Sequence, residues 1–276
     1  MSTLQKKVDA AKNRAEGDPS RKLGRGRHSW IIGDRHIALS APRPPPLLVT
    51  IAAEPAPVEI DLRRAAMVVV DMQNNFCAPG GPSDKAGLDL APERALIAPL
   101  QRILPVVRLA DIPVVWLNWG NRPDLRNMAP TALFAFNPDG RGVGIGDTRP
   151  DGGGNVLEKG SWSAAIIDEL ELGPNDILVD KYRISGFWDT PLDSILRNYD
   201  ITTLLFTGVN MDVCVFHTLA DAHFLGYDCI LVEDCCGTTS PDFCVQATLW
   251  NVKKCFGFVT RSEALDLGIR SSTHAY

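Results

Sequence analysis

FTGVNMDVCVFHTLADAHFLGY, residues 206–227, is the stretch on which the reading of this chain turns. A buried strand over 202–207 breaks at Gly208. From Val213 onward, Phe216, Leu219, Ala220, His223 and Phe224 follow at helical spacing, which predicts a helix over 213–225. Cys214 therefore stands at an elbow between strand and helix N-terminus, where unpaired backbone N–H groups and the helix dipole favour a thiolate. A lone cysteine among these neighbours is equally well read as a small buried hydrophobe. The segment by itself leaves both readings open.

Two further segments weigh on the choice. In AAMVVVDMQNNF, residues 65–76, an apolar run ends in Asp71, as a central parallel strand carrying a carboxylate at its C-terminal edge would. An Asp in that place also serves as a turn or cap residue. In NDILVDKYRISGFWDTPLDSIL, residues 175–196, a short apolar strand is followed by Lys181, a residue type normally found as a solvated surface charge. Three strand ends that deliver an acid, a cation and a thiol to one edge bring together a base, an electrostatic partner and a nucleophile. That convergence is far less expected by accident than any one member.

The rest of the chain fits the same plan. Strands are expected at 66–71, 113–117, 177–180, 202–207, 228–232 and 256–259, and helices at 92–110, 191–199, 213–225 and 241–252. Such alternation predicts a three-layer α/β/α fold with a central, mainly parallel sheet. Residues 61–276 are read as this one domain. Residues 1–60 are read as an arm that packs on the core or on a neighbouring subunit: a charged start, a Gly/Arg-rich stretch at 24–27, an apolar piece at 30–32, and Pro42, Pro44, Pro45 and Pro46 hold too little apolar surface for a core of their own. The Gly-, Pro- and Asn-rich segment 121–154 is too long for a simple connector and is read as a substrate loop.

Composition excludes other classes. A net charge of −5 over 276 residues gives no electrostatic reason to expect nucleic acid or an anionic membrane. Apolar runs are strand-length, and the polar start differs from a secretory signal, so a cytoplasmic protein is expected. Seven cysteines without metal-site spacing read as reduced thiols. Adjacent Cys235 and Cys236 lack the C-x-x-C arrangement of a redox pair.

On these residues the chain resembles the cysteine hydrolases of the isochorismatase-like superfamily, from about residue 65 to about 265. KGSW (159–162) and SGFWDTPLDSILR (185–197) are similar to ureidoacrylate amidohydrolases, whereas GNRPDL (120–125), GIGD (144–147) and VEDCCG (232–237) are similar to biuret amidohydrolases. The resemblance implies an Asp71, Lys181 and Cys214 triad. It also implies an oxyanion hole from the backbone N–H groups of Asn210 and Cys214, with a cis peptide between Val209 and Asn210. Cys214 would attack a carbonyl carbon, Asp71 would move the protons, and Lys181 would lower the thiol pKa and hold Asp71 in line. No metal or organic cofactor is called for. The nicotinamidase branch binds a metal on an Asp and two closely spaced histidines, but His28, His36, His217, His223 and His274 all lie away from the end of the 113–117 strand. Where the family has a small residue and Thr after the turn, this chain has Asn210 and Met211, and both are expected to border the reaction centre.

Phe76, Asn118, Trp119, Asn121, Arg122, Tyr182 and Trp188 are the expected substrate contacts: amides to pair with a ureido group, aromatic walls for a planar substrate, and a guanidinium for a substrate carboxylate. Trp119 and Trp188 are equally read as core or interface aromatics. The leading function is C–N hydrolysis of a small amide or ureido compound by a homo-oligomer, a dimer or tetramer. Vinyl-ether hydrolysis of the isochorismatase type, a non-catalytic assembly module and a thiol redox protein are the alternatives. The first proceeds without a nucleophilic cysteine, the second has no use for an intact triad, and the third lacks a resolving cysteine.

Overall fold

The computed structural model describes residues 21–24, 29–39 and 44–273. The charged start, most of the Gly/Arg-rich stretch, Pro42, His28 and His274 lie outside them. The chain divides into two compact units. The smaller contains an antiparallel three-stranded sheet of β1 (Arg21–Leu23), β2 (Trp30–Ile32) and β3 (Ile37–Ala38). The apolar piece at 30–32 is its middle strand.

The larger unit begins at Pro46, ahead of the expected boundary at 61. A hairpin of β4 (Leu48–Ile51) and β5 (Val58–Asp61) leads in. Val49 and Ile51 alternate with exposed neighbours and join the main core, which places this segment with the sheet body. Then follow β6 (Ala65–Val70), α1 (Asn74–Cys77), α2 (Pro82–Lys85), α3 (Ala91–Arg94), α4 (Ile97–Leu109), β7 (Val114–Trp119), α5 (Pro130–Phe136), β8 (Ile177–Lys181) and α6 (Leu192–Asn198). The chain continues through β9 (Thr203–Val209), a π-helical turn at Met211–Val215, α7 (Phe216–Phe224) and β10 (Asp228–Gly237). It ends in α8 (Asp242–Asn251), a second π-helical turn at Val252–Phe256, β11 (Phe258–Thr260) and α9 (Ser262–Thr273).

Six strands form one sheet in the order β11-β10-β9-β6-β7-β8, every neighbouring pair parallel. Parallel strands need crossovers, and the helices that supply them cover the sheet, so β6, β7 and β9 are buried along their whole length. This is the expected α/β architecture. The expected helix 92–110 is two helices, α3 and α4. The expected strand 228–232 is the first half of β10, which shifts register between Leu231 and Cys236 and runs on to Gly237. Helix α9 and the β4–β5 hairpin add elements that the periodicity did not bring out.

Candidate active site

Parallel strands with covered faces open their C-terminal ends on one edge, and the site lies there. Asp71 follows β6 directly, with a left-handed backbone (φ 52) that Asp tolerates better than most residues, and its N–H donates to the Leu117 carbonyl at 2.9 Å. Lys181 is the last residue of β8, in register with Trp119 of β7. Cys214 comes from the π-helical turn after β9. Gly208 makes that approach feasible: its φ is +105, and a Cβ there would lie 2.0 Å from the Val70 carbonyl oxygen. β9 can therefore pass close against β6 just before both release their functional residues.

The three side chains meet. Lys181 Nζ lies 2.8 Å from Asp71 Oδ2 and 3.5 Å from Cys214 Sγ, and donates to the Arg183 carbonyl at 3.3 Å. It sits 4.1 Å from the centroid of the Trp119 ring, a cation–π contact. Asp71, Lys181 and Cys214 are all buried. Gln73, also buried, ties the edge together: it accepts from the Trp119 N–H at 2.9 Å and donates to the Trp119 and Ala164 carbonyls at 2.8 and 2.7 Å.

Burial sets the electrostatics. It raises the Asp71 pKa, with the charge and hydrogen bond of Lys181 and the thiol pulling the other way. Burial likewise pushes the Cys214 thiol up to about 12, against the attraction of Lys181. This corrects the expectation of a helix-activated thiolate: desolvation of the sulfur, aided by the neighbouring Asp71 charge, outweighs Lys181. Burial therefore favours the neutral thiol over a free thiolate beside the Lys181–Asp71 pair. A thiol in this setting can pass its proton to an adjacent carboxylate as it attacks, and burial makes Asp71 a more basic partner for it.

Asp71 and Cys214 face a cavity of about 330 Å³, at the small end of ligand-site volumes. Asn210 lines it, its Nδ2 donating to Thr239 Oγ1 at 3.4 Å, and the Val209–Asn210 peptide is cis. Phe76 lines it as well, edge-on to Phe136 at 6.3 Å. Phe136, Ala135 and Val143 come from the long 121–154 segment. Asn75, Ser83, Glu93 and Thr239 complete the polar lining.

Six expected contacts are placed elsewhere. Trp119 is buried beneath Lys181, and Asn118 and Asn121 are buried around the end of β7, with Asn118 Oδ1 and both side-chain polar atoms of Asn121 left without a hydrogen-bond partner. Arg122 turns outward and forks onto Asp124 at 2.9 and 2.8 Å, so an adjacent carboxylate of its own loop satisfies the guanidinium. Tyr182 donates to the Asp189 carbonyl at 3.3 Å. Trp188 is 61% exposed and donates to Asp221 at 2.8 Å. Met211 is buried, but it is not part of the cavity wall, so only Asn210 of that pair borders the reaction centre. His217 Nδ1 donates to the Val213 carbonyl of the preceding π-helical turn at 2.8 Å.

A family model, the isochorismatase domain, matches residues 65–264. The chain belongs to the isochorismatase family. Like that family, it is a hydrolase. A cysteine hydrolase from Pseudomonas syringae pv. phaseolicola 1448A is similar at 25% identity and a TM-score of 0.65, over 84% of this chain and all of that one (100%). N-carbamoylsarcosine amidase from Thermoplasma acidophilum is similar at 28% identity and a TM-score of 0.54, over 72% of this chain and 97% of that chain. An isochorismatase-like hydrolase from Alkaliphilus metalliredigens shares 26% identity at a TM-score of 0.57, over 73% and 97%. Among the described residues of this isochorismatase-family protein, no helix is long and apolar enough to cross a membrane, and all seven cysteines are free.

Proposed function

We propose that the protein is an amidohydrolase that cleaves a C–N bond of a small ureido or amide compound through a thioester on Cys214. The observation that carries this reading is the placement of one ammonium, Lys181 Nζ, 2.8 Å from Asp71 Oδ2 and 3.5 Å from Cys214 Sγ, with acid and thiol both facing a cavity sized for a small molecule. Cys214 Sγ bonds to the substrate carbonyl carbon while its proton passes to Asp71. The C–N bond then breaks, the nitrogen takes that proton, and ammonia or an amine leaves. Water next gives a proton to Asp71 and its oxygen to the thioester carbon, releasing a carboxylic or carbamic acid and restoring the thiol. Lys181 favours the ionised form of Asp71 between steps, against the burial that favours the neutral acid. The backbone N–H groups of Asn210 and Cys214 are assigned to the oxyanion. The similarity to an N-carbamoylsarcosine amidase supports the choice of a carbamoyl-type amide.

Ammonia release from a panel of ureido acids, biuret and simple primary amides tests the reading. Turnover of at least one ureido or amide compound by the unaltered protein, lost in Cys214→Ala with folding retained, is the expected result. No release from any of them, or release undiminished in Cys214→Ala, sinks it.

A further inference from the structure

The carboxyl group of Glu93 has no part in the chemistry above, yet it belongs to the same cavity. Glu93 lies on α3 and is 2% exposed. Its Oε2 is buried without a hydrogen-bond partner. Backbone packing holds it there: Gly237 at the end of β10 leaves room for α3, since a Cβ at that position would fall 2.5 Å from the Pro92 carbonyl oxygen. The Thr239 backbone N–H reaches the carboxyl group, and Thr239 in turn receives Asn210 Nδ2, so Glu93 sits on the wall next to the elbow. A buried acceptor with an unfilled lone pair is costly unless a donor reaches it, and an N–H of a ligand can supply one.

Resting on the amidohydrolase reading, we propose that Glu93 is the specificity residue of the pocket: its carboxylate accepts N–H bonds from the non-reacting end of the substrate. Amide, urea and amidinium ends are admitted there and carboxylate ends are refused. The cavity wall supports this on its own account. Its ionisable carboxyl groups are Asp71 and Glu93, and neither a lysine nor an arginine is part of it. A substrate carboxylate at the Glu93 end meets like charge with no lysine or arginine in the wall to offset it, since Lys181 is paired with Asp71 and Arg122 with Asp124.

Calorimetric titration of the Cys214→Ala protein, which cannot turn substrate over, with three probes of similar size tests the assignment. Biuret carries a neutral amide end, guanylurea a cationic one, and N-carbamoylglycine a carboxylate. With Glu93 intact, biuret and guanylurea are expected to bind at least about tenfold tighter than N-carbamoylglycine. Adding Glu93→Gln should weaken guanylurea by about tenfold and bring biuret and N-carbamoylglycine within about threefold of each other. N-carbamoylglycine binding as tightly as biuret, no binding of either N–H probe, or preferences unaltered by Glu93→Gln would overturn the assignment. The probe ranking with Glu93 intact decides even if the double variant folds poorly. Biuret that binds but yields no ammonia from the Cys214 protein counts against the amidohydrolase reading and leaves this subsite standing.

Discussion

Removing one half of the Lys181–Asp71 pair leaves the other charge buried with nothing to balance it. At 2.8 Å and an effective dielectric of about 20, the Coulomb attraction is about 6 kcal/mol, most of it offset by the desolvation of both groups. Lys181→Met is therefore expected to cost about 3–5 kcal/mol, and Asp71→Asn, which strands the ammonium, a similar amount. The double variant buries no charge and should cost well below the sum of the singles, a coupling of several kcal/mol. The sign with pH follows from Asp71, whose pKa is already raised by burial with Lys181 opposing the rise. Without Lys181 it rises further, so the folded state holds its proton more tightly than the unfolded chain does. The stability of Lys181→Met is then preserved at acid pH and lost as pH climbs through the raised folded pKa. Urea unfolding of the four proteins at pH 5 and pH 8 measures both effects. Additive single costs, or a Lys181→Met penalty equal at the two pH values, would refute the picture of a buried ion pair.

Three further expectations are open to direct measurement. Gly208→Ala drives a Cβ into the Val70 carbonyl in a positive-φ conformation, so it should destabilise the fold by more than about 2 kcal/mol in denaturant titrations, and a cost within 0.5 kcal/mol would show that β9 does not need its close approach to β6. Asn210→Ala should change relative kcat/KM among ureido and amide substrates by the equivalent of about 1–3 kcal/mol, whereas Met211→Thr should mainly lower Tm, because only Asn210 lines the cavity; the reverse pattern in a substrate panel would count against this placement. Burial raises the Glu93 pKa to about 7, so this group favours the folded protein at acid pH and its contribution is lost as pH rises from about 4.5 through 7; Tm of the unliganded protein should fall across that window more than Tm of Glu93→Gln, and parallel profiles would contradict it.

The sheet was legible because buried parallel strands are written as nearly unbroken apolar runs. Ala65–Val70 is apolar throughout, and in Thr203–Val209 only two buried threonines and a glycine interrupt the run. Asp71, Lys181 and Cys214 were legible as polar interruptions at the ends of such runs, where parallel topology gathers side chains on one edge. The pocket was harder to read, since what lines it depends on rotamers and distant packing. Trp119 alternates correctly for a wall residue, yet its ring is taken up by the Lys181 ammonium. Arg122 has an aspartate two residues away that satisfies it locally. Glu93 was missed because it falls in the first turn of the expected 92–110 helix, where an acidic residue reads as a solvated partner of the helix dipole; Thr239 and Gly237, distant in sequence, enclose it. Helix α9 was hidden by Gly268 and by the serines and threonine at its end, while the β4–β5 hairpin was absorbed into a stretch whose prolines and charges dominate its composition.

The central claim is that Cys214 becomes acylated during C–N cleavage. Rapid acid quenching during turnover of a substrate that releases ammonia, followed by intact-mass and peptide-mass analysis, tests it most directly. The expected result is a protein species heavier by the acyl fragment, located on the peptide bearing Cys214, formed as fast as the first equivalent of ammonia and absent in Cys214→Ser. Steady ammonia release by a Cys214→Ser or Cys214→Ala protein, or an acyl group found on another residue, would contradict it.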